Sequence, residues 1–309
     1  MKSYSGTIDW LLTGDVAIQY QTQRDLLGSC TEKLNKLKSR IATEGWGARI
    51  LSLQNDDGHW GQGFYKPKWT SSHYTLLDLR NLCINATSGI RKAISLIITE
   101  HKGIDGGISR TGGLSDVCVN GMFLNYACYF KTDESDLESV IDFIIGLQMA
   151  DGGFNCWKNR WSAEHSSLHS TISVLEGINE YLVQGYSYRA DQLISIEKQS
   201  IEFMLEHKLF KSDKTDEVIH KGMTMLSYPS RWKHNILRGL DYLQKAKVPY
   251  DARMKDAIEV LLKKRRKEGV WPVQAKHPGS VHFDMEKTGA KSRWNTLRAL
   301  RVLKYYDIE

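Results

Sequence analysis

The sequence lacks any apolar segment long enough to cross a membrane, and it lacks a signal segment at its start. No apolar run in the 309 residues approaches the roughly 18 that a transmembrane helix needs. The first residues, MKSYSGTIDWLL, contain no apolar stretch of the kind that secretion signals carry. We therefore expect a soluble, cytoplasmic protein without a transmembrane segment. Peripheral contact with a membrane stays open, because it needs only an exposed apolar face.

Cysteine and proline are both scarce. The five cysteines, at positions 30, 83, 118, 128 and 156, are odd in number and have no paired spacing, so reduced thiols fit better than a disulfide framework. Only five prolines interrupt the chain. Between the glycine-rich turns, apolar residues recur three and four positions apart. This periodicity predicts a mostly helical protein.

Charge is spread along the chain without a strong bias. The net charge of +6 comes from 42 basic and 36 acidic residues, and the only dense run is KKRRK at 263–267. That run follows the apolar helical pattern DAIEVLL, and cations are favoured at the C-terminal end of a helix. A solvated helix end explains it better than a nucleic-acid patch, so we expect no nucleic-acid partner.

Five ten-residue segments share one register, with a mostly apolar or small residue at the fourth, seventh and tenth positions. They are HYTLLDLRNL from His73, CVNGMFLNYA from Cys118, HSTISVLEGI from His169, HNILRGLDYL from His234 and WNTLRALRVL from Trp294. Their starts lie 45 to 65 residues apart, a spacing typical of repeated helical hairpins. The segment DVAIQYQTQRDLL aligns less securely and would supply a sixth, first in chain order.

Glycine-rich turns precede several of these segments, in LQNDDGHWG, HKGIDGGIS and LQMADGGFN. Each unit thus predicts an outer helix, an Asp-Gly turn, an extended linker and an inner helix. Six such hairpins predict an all-α protein, one domain over residues 1–309, with the fold of an (α/α)6 barrel or toroid. Closure of the ring lets the sixth unit pack on the first, and an open helical solenoid is the alternative.

The stretch LQMADGGFNCWKNRWSAEHSSLHSTISVLEGI resembles the prenyltransferase and squalene-oxidase repeat. That repeat occurs in the terpenoid cyclase and protein prenyltransferase superfamily, and the resemblance covers about residues 45 to 306. It implies an α/α barrel that acts on an isoprenoid or another apolar small molecule. Neither the Asp-x-Asp-Asp nor the Asp-Asp-x-x-Asp motif of the cyclases occurs in the sequence. Cyclase chemistry would therefore lack its usual acid.

A zinc site is implied by the resemblance to the β subunits of protein prenyltransferases. Their Asp-x-Cys motif is matched by Asp116 and Cys118, and their later histidine by His169. The shared register agrees, because His73 and His234 stand where Cys118 stands in its own unit. We expect zinc held by Asp116, Cys118 and His169, with a fourth position open to water or substrate. His73 and His234 would then face the metal ligands or the substrate.

A plainer interpretation of the same residues stays open. Ser115 or Asp116 would cap the helix that follows, as both residue types commonly do. Cys118 would be a small buried hydrophobe, which is the ordinary role of an isolated cysteine. The chain is also shorter than a typical prenyltransferase β subunit, and no partner subunit follows from the sequence.

Other residues are weaker candidates for the site. Glu164 would act as an acid or base at the cavity mouth, or it would be an exposed cap. Arg231 and Arg293 would bind a diphosphate or carboxylate, or form salt bridges between hairpins. Aromatic rings would line the substrate cavity or pack between the layers, namely Trp69, Trp232 and Trp294. A second metal site in KHPGSVHFDMEKTG would use His277, His282, Asp284 and Glu286.

The sequence thus favours a prenyltransferase-like or terpene cyclase-like enzyme. It would be a zinc-dependent transferase, or a cyclase-like enzyme without the Asp-x-Asp-Asp acid. Asp116, Glu164 or Asp284 would be the acid if cyclisation proceeds without metal. The alternative from another class is a non-catalytic α/α barrel that binds a lipid or a protein.

Overall fold

Helices account for most of the regular structure. The computed structural model describes residues 4–308. In chain order the α-helices are α1 (Ser5–Leu12), α2 (Val16–Gln21), α3 (Thr31–Arg40), α4 (Gly45–Leu51), α5 (Ser72–Asn81), α6 (Ser88–Glu100), α7 (Val117–Tyr129), α8 (Glu134–Gly146), α9 (Lys158–Trp161), α10 (Leu168–Val183), α11 (Ala190–Glu206), α12 (Ile236–Lys245), α13 (Lys255–Lys263) and α14 (Arg293–Tyr305). The π-helical turn Thr22–Leu26 continues α2, and short 3-10 helices span Lys221–Thr224 and Ala252–Met254. The strands β1 (Trp271–Pro272) and β2 (Lys291–Ser292) pair antiparallel.

The inner layer of the barrel is a ring of α2, α5, α7, α10, α12 and α14. Helix α5 packs on α7, α7 on α10, α10 on α12, and α12 on α14. Helix α14 also packs on α2 and on the π-helical turn. The ring closes because Gln21 of α2 donates to the carbonyl oxygen of Asn81 in α5 at 2.9 Å. The predicted all-α, (α/α)6 toroid is therefore confirmed over the open solenoid. The first inner helix, suggested by DVAIQYQTQRDLL, is present as α2.

The outer layer consists of α1, α3 with α4, α6, α8, α11 and α13, each joined in sequence to an inner helix. Its helices bury one face only. In α6 the buried side chains are Ile90, Ala93, Ile94 and Ile97, which is the spacing of a single helical stripe. Inner helices are buried nearly all round, because outer helices cover one side and ring neighbours the others. Helix α7 exposes no side chain between Val117 and Cys128 to full solvent.

The Asp-Gly turns of the repeat are held by their own side chains. Asp105 accepts hydrogen bonds from the backbone N and Oγ of Ser115, both at 2.7 Å. Asp151 likewise accepts from the backbone N of Ser166 at 2.8 Å. The glycine after each aspartate, Gly106 or Gly152, has a φ of +84°, a conformation that favours glycine. In these two turns the aspartate therefore ties the turn to the start of the next inner helix.

Buried apolar side chains form one continuous core from Ile8 to Leu303. No helix within the described range combines the length and the apolar character needed to cross a bilayer. The single domain over residues 1–309 stays a prediction, and residues 1–3 and 309 lie outside the described range.

The closest approach of two inner helices is at the crossing of α7 and α10. Gly121 faces the backbone of Ser173 and Val174, and Gly177 faces the backbone of Gly121. A Cβ built on Gly121 would lie 2.5 Å from the carbonyl oxygen of Ser173. These two glycines therefore set the spacing of the helices that carry the cysteine and histidine of the predicted zinc site.

Replacement of Gly121 by alanine should destabilise the protein, because the added methyl group meets backbone that cannot rotate away. We expect Gly121→Ala to lower the free energy of unfolding by about 1–3 kcal/mol, as is usual for overpacked sites. Urea denaturation followed by circular dichroism measures it. Gly6→Ala is the matched control, since a Cβ at this exposed position in α1 meets no atom within 4 Å. Equal stability of Gly121→Ala and the unmodified chain would contradict this packing.

Candidate functional site: a charged central cavity

A cavity of about 820 Å³ lies on the axis of the barrel, between the inner helices. Along the inner helices, many of the side chains that reach it lie three or four residues apart. On α12 these are Arg238, Asp241 and Lys245, and on α14 they include Arg298 and Arg301. This spacing is that of one face of a helix, so each inner helix turns the same stripe to the axis.

The lining of this cavity is dominated by charge. Among residues 4–308 its basic side chains are Arg24, Arg80, Arg231, Arg238, Lys245, Arg298, Arg301 and Lys304. Its carboxylates are Asp25, Glu176, Glu180 and Asp241. Its exposed members are Arg24, in the turn after α2, Lys245, at the end of α12, and Lys304 and Tyr305, at the end of α14. The mouth of the cavity is therefore at the C-terminal ends of the inner helices.

Ion pairs join the inner helices around the axis. Arg238 binds Glu176 through two hydrogen bonds, from Nε to Oε1 at 2.8 Å and from Nη2 to Oε2 at 2.7 Å. Glu180 accepts from Lys245 at 2.8 Å and also from Arg80. These contacts connect α10 to α12, and past α7 to α5.

The same pattern continues toward α2. Asp241 of α12 accepts from Arg298 Nε at 3.0 Å and from Arg301 Nη2 at 2.6 Å. Arg301 then donates to Asp25 Oδ2 at 3.1 Å. We call the connected pairs from Arg80 through Asp25 the axial ion pairs. They link α5, α10, α12, α14 and the turn after α2.

The arginines keep the cavity carboxylates ionised. Burial alone raises the pKa of Asp241, but Arg301 and Arg298 outweigh it and lower the pKa to about 2. Burial likewise opposes the shift at Glu180, where Arg80 and Lys245 prevail and the pKa falls. The pKa of Glu176 is lowered in the same way, mainly by Arg238. None of these three carboxyl groups carries a proton at neutral pH.

The predicted histidines lie near the N-terminal ends of the inner helices, away from the mouth. His73 is fully buried, and its Nδ1 lies 3.3 Å from the Tyr126 hydroxyl. The Nε2 of His234 lies 2.6 Å from the carbonyl oxygen of Leu209. Burial lowers the pKa of both rings to about 3, so both are neutral. His169 Nδ1 accepts a hydrogen bond from the backbone N of His234 at 2.8 Å. The first residues of these two segments are therefore in contact.

As arranged, Asp116, Cys118 and His169 do not fit a zinc ion. Asp116 is the N-cap residue by position, yet its carboxylate caps no backbone amide. Its Oδ2 accepts from Arg110 at 2.7 Å and its Oδ1 from Arg160 at 2.9 Å. A metal would have to displace both guanidinium groups. No three potential ligands converge anywhere in residues 4–308, and whether the protein holds zinc is a question for metal analysis.

The sulfur atoms of Cys118 and Cys156 are in contact, and the two Cα atoms are 6.0 Å apart. This pair is close enough to form a disulfide, and the expectation of reduced thiols stays a prediction. The turn after α8 folds back onto the start of α7, which brings together two cysteines 38 residues apart. Their spacing in the sequence carries no sign of that contact. The other cysteines, Cys30, Cys83 and Cys128, are free.

The predicted substrate-binding residues have separate environments. Arg231 lies in the cavity wall, where it pairs with buried Asp78 at 2.5 Å, and its guanidinium lies 5.5 Å from the Trp69 ring centre. Trp294 also lines the cavity. Trp232 is half-buried and packs edge-on against the ring of His169.

Two of the predicted site residues, Arg293 and Glu164, lie outside the central cavity. Arg293 does not line the central cavity: it donates to the Trp10 carbonyl oxygen at 3.2 Å and lies over the Trp10 ring, which ties α14 to α1. This placement argues against its predicted role in binding substrate. Glu164 is exposed in the turn before α10, on the far side of the barrel from the cavity mouth.

A smaller cavity of about 210 Å³ adjoins the central one and shares Tyr228 and Arg231 with it. The segment expected to hold a second metal lines it. Three of its four candidate ligands have partners within the protein, whereas the buried Nε2 of His277 has none. His282 Nε2 lies 2.9 Å from Thr75 Oγ1, and Asp284 pairs with Lys276. Glu286 accepts from the backbone N of Arg293 at 2.6 Å and so caps α14. These side chains do not converge on one point.

The five segments that predict the fold also contain the cavity residues, at their fifth and eighth positions. Position eight of the five segments is Arg80, Asn125, Glu176, Asp241 and Arg301. Position five includes Arg238 and Arg298. Repetition of polar residues at one position of otherwise buried helices is the signal that could have identified the axial face.

The chain matches no protein-family model and no curated protein. Similar solved structures include type II terpene cyclase MstE from Scytonema without ligand, with 13% identity and a TM-score of 0.45, over 94% of this chain and 88% of that chain. A variant of the same cyclase, in complex with its substrate geranylgeranyl dihydroxybenzoate, has 13% identity and a TM-score of 0.48, over 94% and 86%. A protein from Actinoplanes has 13% identity and a TM-score of 0.49, over 94% and 89%.

The identities of 13% and the TM-scores below 0.5 of these structures assign neither a family nor an activity. The architecture of this chain rests instead on the contacts among its own helices.

Metal analysis tests the predicted zinc ligands. Because both Asp116 oxygens are bound by arginine and the sulfur of Cys118 contacts that of Cys156, we expect no stoichiometric zinc in protein purified without an affinity tag. Inductively coupled plasma mass spectrometry measures it, with Cys118→Ala and His169→Ala as companions. One zinc per chain, lost in both variants, would contradict the arrangement described here and restore the zinc site.

Proposed function

We propose that the central cavity binds an amphipathic anion, and that the ligand is an isoprenoid carrying a diphosphate or carboxylate group. The observation that carries the proposal is the excess of positive charge in the cavity. Among the described residues eight basic side chains line it against four carboxylates. Even when Asp78 behind Arg231 is included, the cations exceed the carboxylates by three. A negatively charged ligand balances this excess.

Unpartnered polar atoms support a bound ligand. Within residues 4–308, the buried cavity atoms without a hydrogen-bond partner are Arg80 Nε, Asn125 Oδ1, Tyr129 Oη, Asn179 Oδ1 and Trp294 Nε1. Buried polar groups normally have partners. Arg80 Nε is a donor on the side chain that pairs with Glu180 beside Lys245, which suits an oxygen atom of a phosphate or carboxylate. The cavity thus offers both charge and hydrogen bonds.

Aromatic side chains of the cavity offer a surface for the apolar part of a ligand. Tyr228 and Trp294 stack with ring centres 5.0 Å apart at the inner end of the cavity. Lys245 and Lys304 lie at the opposite end, near the mouth. A ligand with its charged group toward the lysines and its chain toward the stacked rings satisfies both ends. The resemblance of the sequence to isoprenoid enzymes favours an isoprenoid chain.

The chemistry that these residues support is stabilisation of negative charge. Glu176, Glu180 and Asp241 are held ionised by arginine and lysine, so they have no proton to give to an alkene. Cyclisation by a general acid therefore has little support in this cavity. Arginine side chains are well suited to a leaving diphosphate, whose charge develops as the bond breaks. A transferase-like reaction fits these residues better than cyclisation does.

Calorimetric titration with geranylgeranyl diphosphate tests the proposal. We expect it to bind at least tenfold more tightly than geranylgeraniol, because the alcohol lacks the anionic group. Arg80→Met should weaken binding of the diphosphate by about tenfold or more, since it removes a charged donor. Release of inorganic diphosphate from the bound compound separates an enzyme from a binding protein.

The matched control for Arg80→Met is Arg91→Met, on the exposed face of α6. It should bind as the unmodified chain does. Equal affinity for the alcohol and the diphosphate, or unchanged binding in Arg80→Met, would contradict the proposal.

A further inference from the structure

An exposed apolar patch lies at the opposite end of the barrel from the cavity mouth. It consists of Ile104, Leu114, Trp157 and Trp161, which we call the tryptophan patch. Their side chains are 81%, 38%, 66% and 75% exposed. Single exposed apolar residues are common in folded proteins, but two neighbouring tryptophans with this exposure are not.

The two tryptophans share one face of a helical turn. Trp161 N donates to Trp157 O at 2.7 Å, so the residues are four positions apart on a closed turn. Side chains at this spacing lie on the same side of a helix. Both indoles therefore point the same way, into solvent.

Polar contacts beneath the patch hold its two segments together. Asn159 donates to Asp105 Oδ2 at 2.7 Å and to the carbonyl oxygen of Ser115 at 3.1 Å. Arg160 binds Asp116 at 2.9 Å and also the carbonyl oxygen of Leu114. The polar groups of α9 thus face the barrel, and its apolar groups face outward. The patch is a fixed surface and does not arise from a loose loop.

Exposed cations surround the patch. Lys102 lies two residues before Ile104, and Lys158 follows Trp157 directly. Both side chains are exposed, and Arg110 lies beside the patch through its pairing with Asp116. The nearby carboxylates Asp105 and Asp116 are already bound by groups within the two segments.

We propose that the tryptophan patch docks the protein on a lipid bilayer that contains anionic headgroups. Tryptophan is enriched at membrane interfaces, where its ring lies among the headgroups. Lysine extends its charge to the headgroups while its stem stays in the apolar layer. Lysine is depleted at interfaces between proteins, which favours the bilayer over a protein partner. Two copies facing each other would also oppose Lys102 and Lys158 of one to those of the other.

The proposal is independent of the ligand of the central cavity. Docking by the tryptophan patch would leave the mouth, at the far ends of the inner helices, facing water. The patch would therefore anchor the protein to the bilayer without delivering a ligand to the cavity.

Co-sedimentation with vesicles tests the docking. The full chain should sediment with vesicles of phosphatidylcholine mixed with phosphatidylglycerol, and far less with phosphatidylcholine alone. The double variant Trp157→Ala with Trp161→Ala should lower the partition coefficient about tenfold or more, and Lys158→Glu by more than about fivefold on the anionic vesicles. Tyr250→Ala, which removes an aromatic side chain that is 53% exposed elsewhere, should leave it unchanged.

Circular dichroism and the unfolding midpoint show that each variant is folded, and these substitutions remove only exposed side chains. No sedimentation of the unmodified chain, or full sedimentation of the double tryptophan variant, overturns the proposal. So does a dimer on size-exclusion chromatography that the double variant abolishes, when vesicles are not bound. That result would assign the patch to a second copy.

Discussion

Burial of charge along the barrel axis is the constraint on which the rest of the structure depends. Glu180 and Asp241 are almost removed from water, and a buried carboxylate is stable only when cations and donors surround it. Each is held by two basic side chains from other helices. Removal of one partner of such a pair typically costs about 3–5 kcal/mol, because the other charge is left unpaired. The axial ion pairs therefore help to fix the rotation of α5, α10, α12 and α14 about their own axes, together with the apolar faces of these helices.

The same constraint separates the two ends of the barrel. Toward the C-terminal ends of the inner helices, basic residues outnumber carboxylates and the cavity opens to solvent. Toward the N-terminal ends, neutral histidines pack among aromatic rings, as His73 does beside Tyr65 and Tyr74. The arrangement suits an anionic ligand that is attracted to the basic residues at the mouth. It leaves the closed end free for contacts of a different kind, at the tryptophan patch.

The sequence was sufficient to predict the ring of six inner helices. Apolar residues at the fourth, seventh and tenth positions of each segment contact the outer layer and ring neighbours, so the repeat reports the packing directly. The functional residues were harder to predict from the sequence. The first position of the segments holds histidines and a cysteine, which are residue types that commonly bind metals. The histidines are used in hydrogen bonds, and Cys118 contacts Cys156. Contacts such as Cys118 with Cys156, or Arg293 with Trp10, depend on where turns and α1 fold in space, and no local pattern encodes them.

Anions bound in crystals would test the central claim most directly, without any assumption about the natural ligand. Crystals soaked in bromide reveal each halide by its anomalous scattering. The excess of cations predicts bromide inside the central cavity, within hydrogen-bond distance of Arg80 Nε. Bromide confined to the outer surface, with none among the axial ion pairs, would contradict the account.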